Sequence, residues 1–418
     1  MTMTEISQPQ IIDIKDLSFE QGAHLLIKKH LSELPVGGKL GISGHARELA
    51  IHLRGWCRTQ GHEILFGTNG LDSVNLNQTT NSPFVAWIVR GKASTGRWKD
   101  AERAGAPDFR EPNAIAERPP SKWGLAARGA KIEAGAPEFY FGLDSKTDVW
   151  AENVPRLYAQ AAAAQWNPNT AIDWETPFEL PVEIETAVVQ VMTYLIENET
   201  AALLVPARFL AQIHPHFREV MQLLAIQVAD EARHIEVFTR RATFRGHELG
   251  LSTVGGQTSL KTLFEEPDFT LSSFLLSVLG EGTFLNLLWF LEEHAPDPIT
   301  RRGAQLAAQD EARHVAFGMG HLQYQISLDP TVRERLAAAV RRRFDALSQT
   351  TGLNEEVFDS LVILAAKEWT PGAISEGFGK VQKLKNEMHQ SRTARLQKLG
   401  FSAKEAENLS SLHTKNFM

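Results

Sequence analysis

The chain uses one pentapeptide twice, as Asp230-Glu231-Ala232-Arg233-His234 and as Asp310-Glu311-Ala312-Arg313-His314. Each copy stands inside an otherwise apolar stretch with helical spacing. Residues three apart share a helix face, so Glu231 with His234 and Glu311 with His314 each present a carboxylate and an imidazole in one direction. Leu224, Val228 and Ile235 flank Glu231 at helical spacing, and Ala307, Ala308 and Val315 flank Glu311, which turns both pairs toward a core. A buried carboxylate without a partner is costly enough to demand a counter-ion or a metal. Pairing with arginine would account for each glutamate but not for the repeated histidine. The pattern predicts two metal-binding claws and a chain that folds around them.

A four-helix di-metal carboxylate site needs one further glutamate from each of two other helices. In the stretch from Phe274 to Leu291, Glu281 is the only acidic residue, with Val278, Phe284 and Leu285 on its face. Upstream there are two candidates. Glu199 sits among Leu195, Ile196, Ala202 and Leu203, whereas Glu197 sits among Thr193, Tyr194, Thr200 and Ala201. Glu199 is therefore the inward one. Carboxylates and imidazoles without thiolates suit iron or manganese better than structural zinc.

This order of ligands resembles the ferritin-like di-iron carboxylate superfamily, over roughly residues 175–330. Within it, the Asp-Glu-x-Arg-His form looks most like bacterial multicomponent monooxygenase hydroxylases and acyl-carrier-protein desaturases. The run Glu281-Gly-Thr-Phe-Leu-Asn-Leu is similar to the third metal-binding helix of the monooxygenases. The resemblance implies a four-helix bundle binding two iron ions, Fe/Fe or Mn/Fe, through Glu199, Glu231, His234, Glu281, Glu311 and His314. It also implies that Asp230 and Asp310 hold the ligand histidines by their second nitrogens, with Arg233 and Arg313 neutralising them. The implied activity is O2-dependent oxidation of a small organic substrate through a peroxo-type di-iron intermediate, with electrons from an external donor. Desaturation, N-oxygenation and a non-enzymatic ferritin-like metal-binding protein with a docking domain are the alternatives.

Departures from these families narrow the reading. Phe238 stands where small subunits of ribonucleotide reductase carry a radical tyrosine. Ala307 stands where arylamine N-oxygenases carry an additional histidine. Leu285 replaces a hydroxylase threonine, which leaves nearby Thr283 as the pocket candidate. Gly280 and Gly282 flank Glu281, and leave open space above the metals, a local π-bulge or close helix packing. His321 reads as a hydrogen-bonded core residue.

The rest of the chain predicts an α+β multidomain protein. Residues 1–93 alternate strands and helices: strand Ile11–Ile14, helix Ser18–Leu34, strand Lys39–Ser43, helix His45–Gln60, then strands Glu63–Phe66 and Val85–Arg90. They form a small two-layer α/β domain. The landmarks Leu34-Pro-Val-Gly-Gly-Lys-Leu, Gly55-Trp-Cys-Arg-Thr-Gln-Gly-His-Glu and Ala86-Trp-Ile-Val-Arg-Gly resemble the TusA-like (SirA-like) sulfur-carrier family. That family's reactive cysteine opens the first helix, where this chain has Leu17-Ser18-Phe19-Glu20, so persulfide chemistry is not implied. Residues 94–172, rich in Pro and Gly, read as a wrapping linker with a helix. Residues 173–330 read as the bundle, with helices near 181–213, 216–245, 268–294 and 298–327, the first kinked by Pro206. Residues 331–418 read as a helical extension packed on the bundle or on a second copy, which makes a homodimer one expected assembly.

With 418 residues, one cysteine and a net charge of −7, the sequence excludes a disulfide framework and gives no basic surface for nucleic acid. The N-terminus has no signal-peptide pattern, and Glu281 and Asn286 interrupt the one stretch long enough to span a membrane. A cytoplasmic protein without membrane or nucleic-acid partners is expected.

Overall fold

The computed structural model describes residues 10–66, 82–93, 98, 100–348 and 355–413. The chain separates into two compact units. One comprises Met1–Ala104 with Gly129–Pro137, and the other Gly105–Arg128 with Glu138–Met418.

The first unit runs β1 (Gln10–Asp13), α1 (Ala23–Glu33), β2 (Lys39–Ser43), α2 (Leu49–Gln60), β3 (Glu63–Phe66) and β4 (Phe84–Val89). The sheet order is β1-β2-β4-β3. β1 pairs parallel with β2, Ile11 opposite Gly41, which requires the α1 crossover. β4 lies antiparallel to both β2 and β3. Ile27 and Leu31 on α1, and Leu49, Leu53 and Cys57 on α2, recur at intervals of four and bury against Leu40, Ile42 and Ile88 of the sheet.

The first helix starts later than its hydrophobic spacing predicts. Ser18 caps a 3-10 turn, its hydroxyl accepting from the Gln21 amide at 3.3 Å while its amide donates to the Gln21 side chain at 3.1 Å. Gly22, at φ 98°, then breaks the chain before α1 begins at Ala23. Short strands Glu102–Arg103 and Lys131–Ile132 pair as a ribbon within this unit.

The second unit is helical: α3 (Val154–Ala163), α4 (Val182–Leu210), α5 (Arg218–Ala242), α6 (Val254–Phe264), α7 (Phe269–His294, in three segments), α8 (Pro298–Leu328), α9 (Val332–Leu347), α10 (Glu355–Ala366), α11 (Pro371–Lys398) and α12 (Ala403–His413). α4, α5, α7 and α8 make the bundle, with α4 packed along α5 and α7 along α8. α10 covers α4, and α11 lies against α7. Asp297 caps α8 through the Thr300 amide at 2.8 Å, with Pro298 in the first turn. Ser402 and Glu405 form a capping box at α12. Pro206 lies inside α4, which continues to Leu210.

α7 is long and apolar enough to cross a membrane, but 94% of its most apolar window is buried within the protein. The segment before the bundle is anchored by buried Arg128, whose Nη1 donates to Glu219 at the start of α5 at 2.7 Å. His216 accepts from the Ala116 amide at 2.9 Å.

Candidate metal centre

The bundle brings six side chains from four helices to one point. Glu199 comes from α4, Glu231 and His234 from α5, Glu281 from α7, and Glu311 and His314 from α8. Each is at most 4% exposed. Glu197 points elsewhere, accepting from Gln257 at 3.2 Å on the outer side of α4.

The six form two overlapping groups. Glu199, Glu231, His234 and Glu311 offer ligand atoms within 4.8 Å of one another, and so do Glu231, Glu281, Glu311 and His314. Glu231 and Glu311 belong to both groups. Both imidazoles turn Nδ1 inward. His234 Nδ1 lies 3.1 Å from Glu231 and 3.7 Å from Glu199, and His314 Nδ1 lies 3.1 Å from Glu231 and 3.4 Å from Glu311.

The donor set fits a pair of divalent cations. Glu199 Oε1, Glu231 Oε1, Glu281 Oε2, both Glu311 oxygens and His314 Nδ1 are buried without a hydrogen-bond partner, an arrangement that burial makes costly unless a cation satisfies it. Four carboxylates match the charge of two dications.

Without such cations the cluster holds shared protons. Burial, then Glu231 and Glu311, push Glu199 well above the usual carboxylate range. Burial pushes Glu281 up to about 8. Burial opposes ionisation of Glu311 too, yet His314 and His234 hold it down to about 2. Both histidines are held well above their usual range against their burial, His234 by Asp310 and the surrounding glutamates, His314 by Glu231 and Glu311. These are the protons that metal binding would release.

Behind the imidazoles the two repeats are crossed. His234 Nε2 lies 3.2 Å from Asp310, and His314 Nε2 lies 3.2 Å from Asp230. Each aspartate thus orients the histidine of the other motif. Arg233 pairs with Asp230 and reaches Asp310 at 3.3 Å, and Arg313 pairs with Asp310. Three further participants escaped the sequence reading. Trp166 Nε1 donates to Asp310 at 2.7 Å, and Gln165 donates to Asp230 at 3.0 Å. Both come from an aperiodic segment, where nothing local marks them. Gln227 donates to Glu281 at 2.9 Å. As an amide one turn before Glu231, on the same helix face, it was a readable signal.

Glu281 ends a π-helical segment, Phe274–Glu281, inside α7. The wider turn leaves the Val278 carbonyl to accept from Arg395 Nε of α11 at 2.8 Å. A Cβ on Gly282 would stand 2.6 Å from the Arg395 guanidinium carbon, so this glycine makes room for that arginine. Thr283 faces the same way. Its hydroxyl donates to the Leu279 carbonyl at 2.6 Å and accepts from Arg392 at 3.1 Å, because two residues beyond Glu281 a helix has turned to its opposite side. It therefore lies on the α11 side of the helix and not among the carboxylates. His321 is a core residue, bonded to the Trp150 carbonyl at 2.9 Å.

No family model matches the chain, and no curated protein does. Among solved structures, an R2-like ligand-binding oxidase from Sulfolobus acidocaldarius aligns at 16% identity over 57% of this chain and 91% of that one, with a TM-score of 0.41. Two variants of an R2-like ligand-binding oxidase reconstituted with a Mn/Fe cofactor align at 17% and 20% identity. They cover 60% and 61% of this chain and 94% and 95% of theirs, both with a TM-score of 0.43.

Proposed function

We propose that this protein is an O2-dependent di-metal oxidase or monooxygenase acting on a small organic molecule. One observation carries the reading: two buried ligand groups share Glu231 and Glu311, so two cations would sit side by side on common carboxylates. Glu199 with His234 would complete one position, and Glu281 with His314 the other. When bound as Fe/Fe or Mn/Fe, such a pair supplies two electrons to dioxygen and so an oxidant for the substrate.

The protein's own groups do the rest. Asp230 and Asp310 fix both imidazoles with Nδ1 turned inward. Leu263, Leu275, Leu276 and Phe284 wall the centre on the Glu281 side and keep bulk water from the oxidant. Electrons would come from an external donor. The first unit would serve binding rather than sulfur transfer, since Ser18 takes the position of a carrier cysteine and burial pushes the Cys57 thiol up to about 12.

The test is metal analysis followed by an optical spectrum on adding O2 to the ferrous protein. About two ions per chain and a transient visible band are expected. Less than one ion per chain, or uptake of iron into a mineral core, would overturn the reading. Product analysis then separates hydroxylation, desaturation and N-oxygenation.

A further inference from the structure

Arg343 of α9 is 6% exposed and lines the same narrow crevice as Glu199, Glu281 and Glu311. Its Nη2 donates to the Ser259 hydroxyl at 2.9 Å and the Ser259 carbonyl at 3.4 Å, both neutral. Other arginines of α9 have acidic partners, Arg335 with Asp268 at 2.5 Å and Arg342 with Glu266 at 3.7 Å. Arg343, the buried one, has no carboxylate within ion-pair distance among the described residues. Burial lowers its pKa only to about 10, so it stays charged at neutral pH. Asn198 of α4 also lines the crevice, its amide nitrogen donating to the Tyr194 carbonyl at 2.7 Å.

Charge counting sharpens the point. Two dications would neutralise the four glutamates, and Arg233 and Arg313 neutralise Asp230 and Asp310. None of these carboxylates pairs directly with Arg343, whose hydrogen bonds among the described residues go to neutral atoms of Ser259. A buried cation whose bonds go to neutral atoms is stabilised by an anion that accepts hydrogen bonds from it.

We propose that this crevice binds a carboxylic acid with a compact apolar body, its carboxylate seated on Arg343 and its body against Leu260, Leu263, Leu275 and Phe284. As the side chains stand, the crevice has room for roughly one water molecule, about 20 Å³. Leu260 also lines an outer groove of about 760 Å³ between α4 and α6. Rotation of the half-buried Leu260 side chain joins the two spaces, and the ligand enters from the groove. The carboxylate at Arg343 leaves the other end of the molecule facing Glu281. That this end is the one oxidised rests on the oxidase reading, whereas the binding does not.

The test is calorimetric titration of the metal-loaded full chain with benzoate, and with benzamide as its neutral counterpart. Benzoate should bind the wild type, and Arg343→Met should weaken it by about tenfold or more. Arg343→Lys, which keeps the charge but loses the fork, should fall between. Benzamide should bind at least about tenfold more weakly than benzoate. Equal benzoate affinity in wild type and Arg343→Met overturns the site, as direct ligation to the metals would give. So does benzamide binding as tightly as benzoate, or no benzoate binding at millimolar concentration. Should Arg343→Met fail to fold, the wild-type benzoate-to-benzamide ratio decides. Metal content is measured on the same samples. Arg343-dependent benzoate binding in a protein without metal would sink the oxidase reading and keep this one, and metal-loaded protein without that dependence would do the reverse.

Discussion

The cores of the two units handle chemically active side chains in opposite ways. In the first unit the buried cluster is apolar, and the one nucleophile in it, Cys57, is fully enclosed and made inert by burial. In the second unit eight carboxylates and imidazoles, Glu199 to His314, stand at 4% exposure or less with several oxygens unsatisfied. The first cluster is held by apolar contacts, whereas the second keeps buried oxygens without hydrogen-bond partners, an arrangement that is costly in the absence of a cation.

The sharpest break of this contrast is at a shared carboxylate. Glu231→Gln should reduce metal from about two ions per chain to nearly none, measured by elemental analysis. Next is Glu199→Ala, which should lose about one ion, the other being held by the Glu281 group, while Glu197→Ala loses none.

The third prediction concerns pH. Glu199 and Glu281 have raised folded pKa values, Glu281 about 8. The unfolded chain ionises them near 4.5, so stability falls as pH rises from there toward 8. His234 and His314 are also raised. Their contribution is complete below about 6.5 and is lost as pH rises through their folded values. Glu311, Asp230 and Asp310, whose values are lowered, stabilise the fold throughout this window and lose that contribution only as pH falls below it. Metal-free protein should therefore melt lower at pH 8 than at pH 5. The increase in Tm on adding metal should grow over the same range, and an increase that shrinks would contradict the assignment.

Smaller effects test the surroundings. Gly282→Ala sets a methyl against Arg395, with an expected loss of about 1–3 kcal/mol by denaturant unfolding and a weakened second metal position. In the first unit, Cys57→Ala should cost about 1 kcal/mol of that unit's stability and leave metal content unchanged. A change in metal content there would dissolve the contrast between the two cores.

What the sequence disclosed follows from range. Glu231 with His234 and Glu311 with His314 were readable because three-residue spacing on an apolar helix fixes their direction locally. Glu199 was separable from Glu197 for the same reason. The strands and helices of the first unit follow their periodicities, but the start of α1 does not, because Gly22 ends the Ser18 turn before the hydrophobic face begins. Trp166, Gln165 and Arg343 reach the centre from segments far away in the chain, and no local pattern encodes that arrival. Thr283 was expected in the pocket from its nearness to Glu281, yet two residues along a helix is slightly more than a half-turn. The crossing of Asp230 with His314, and of Asp310 with His234, lies in the packing of α5 on α8 alone.

That crossing has a consequence for biosynthesis. A growing chain displays its first motif while α8 has yet to be made. At that stage His234 lacks the aspartate that aims it, and Glu231 lacks Glu311, the second shared carboxylate. If the centre holds metal as proposed, the half-made protein would offer an incomplete ligand set, and firm binding would wait until α8, Pro298–Leu328, has been made.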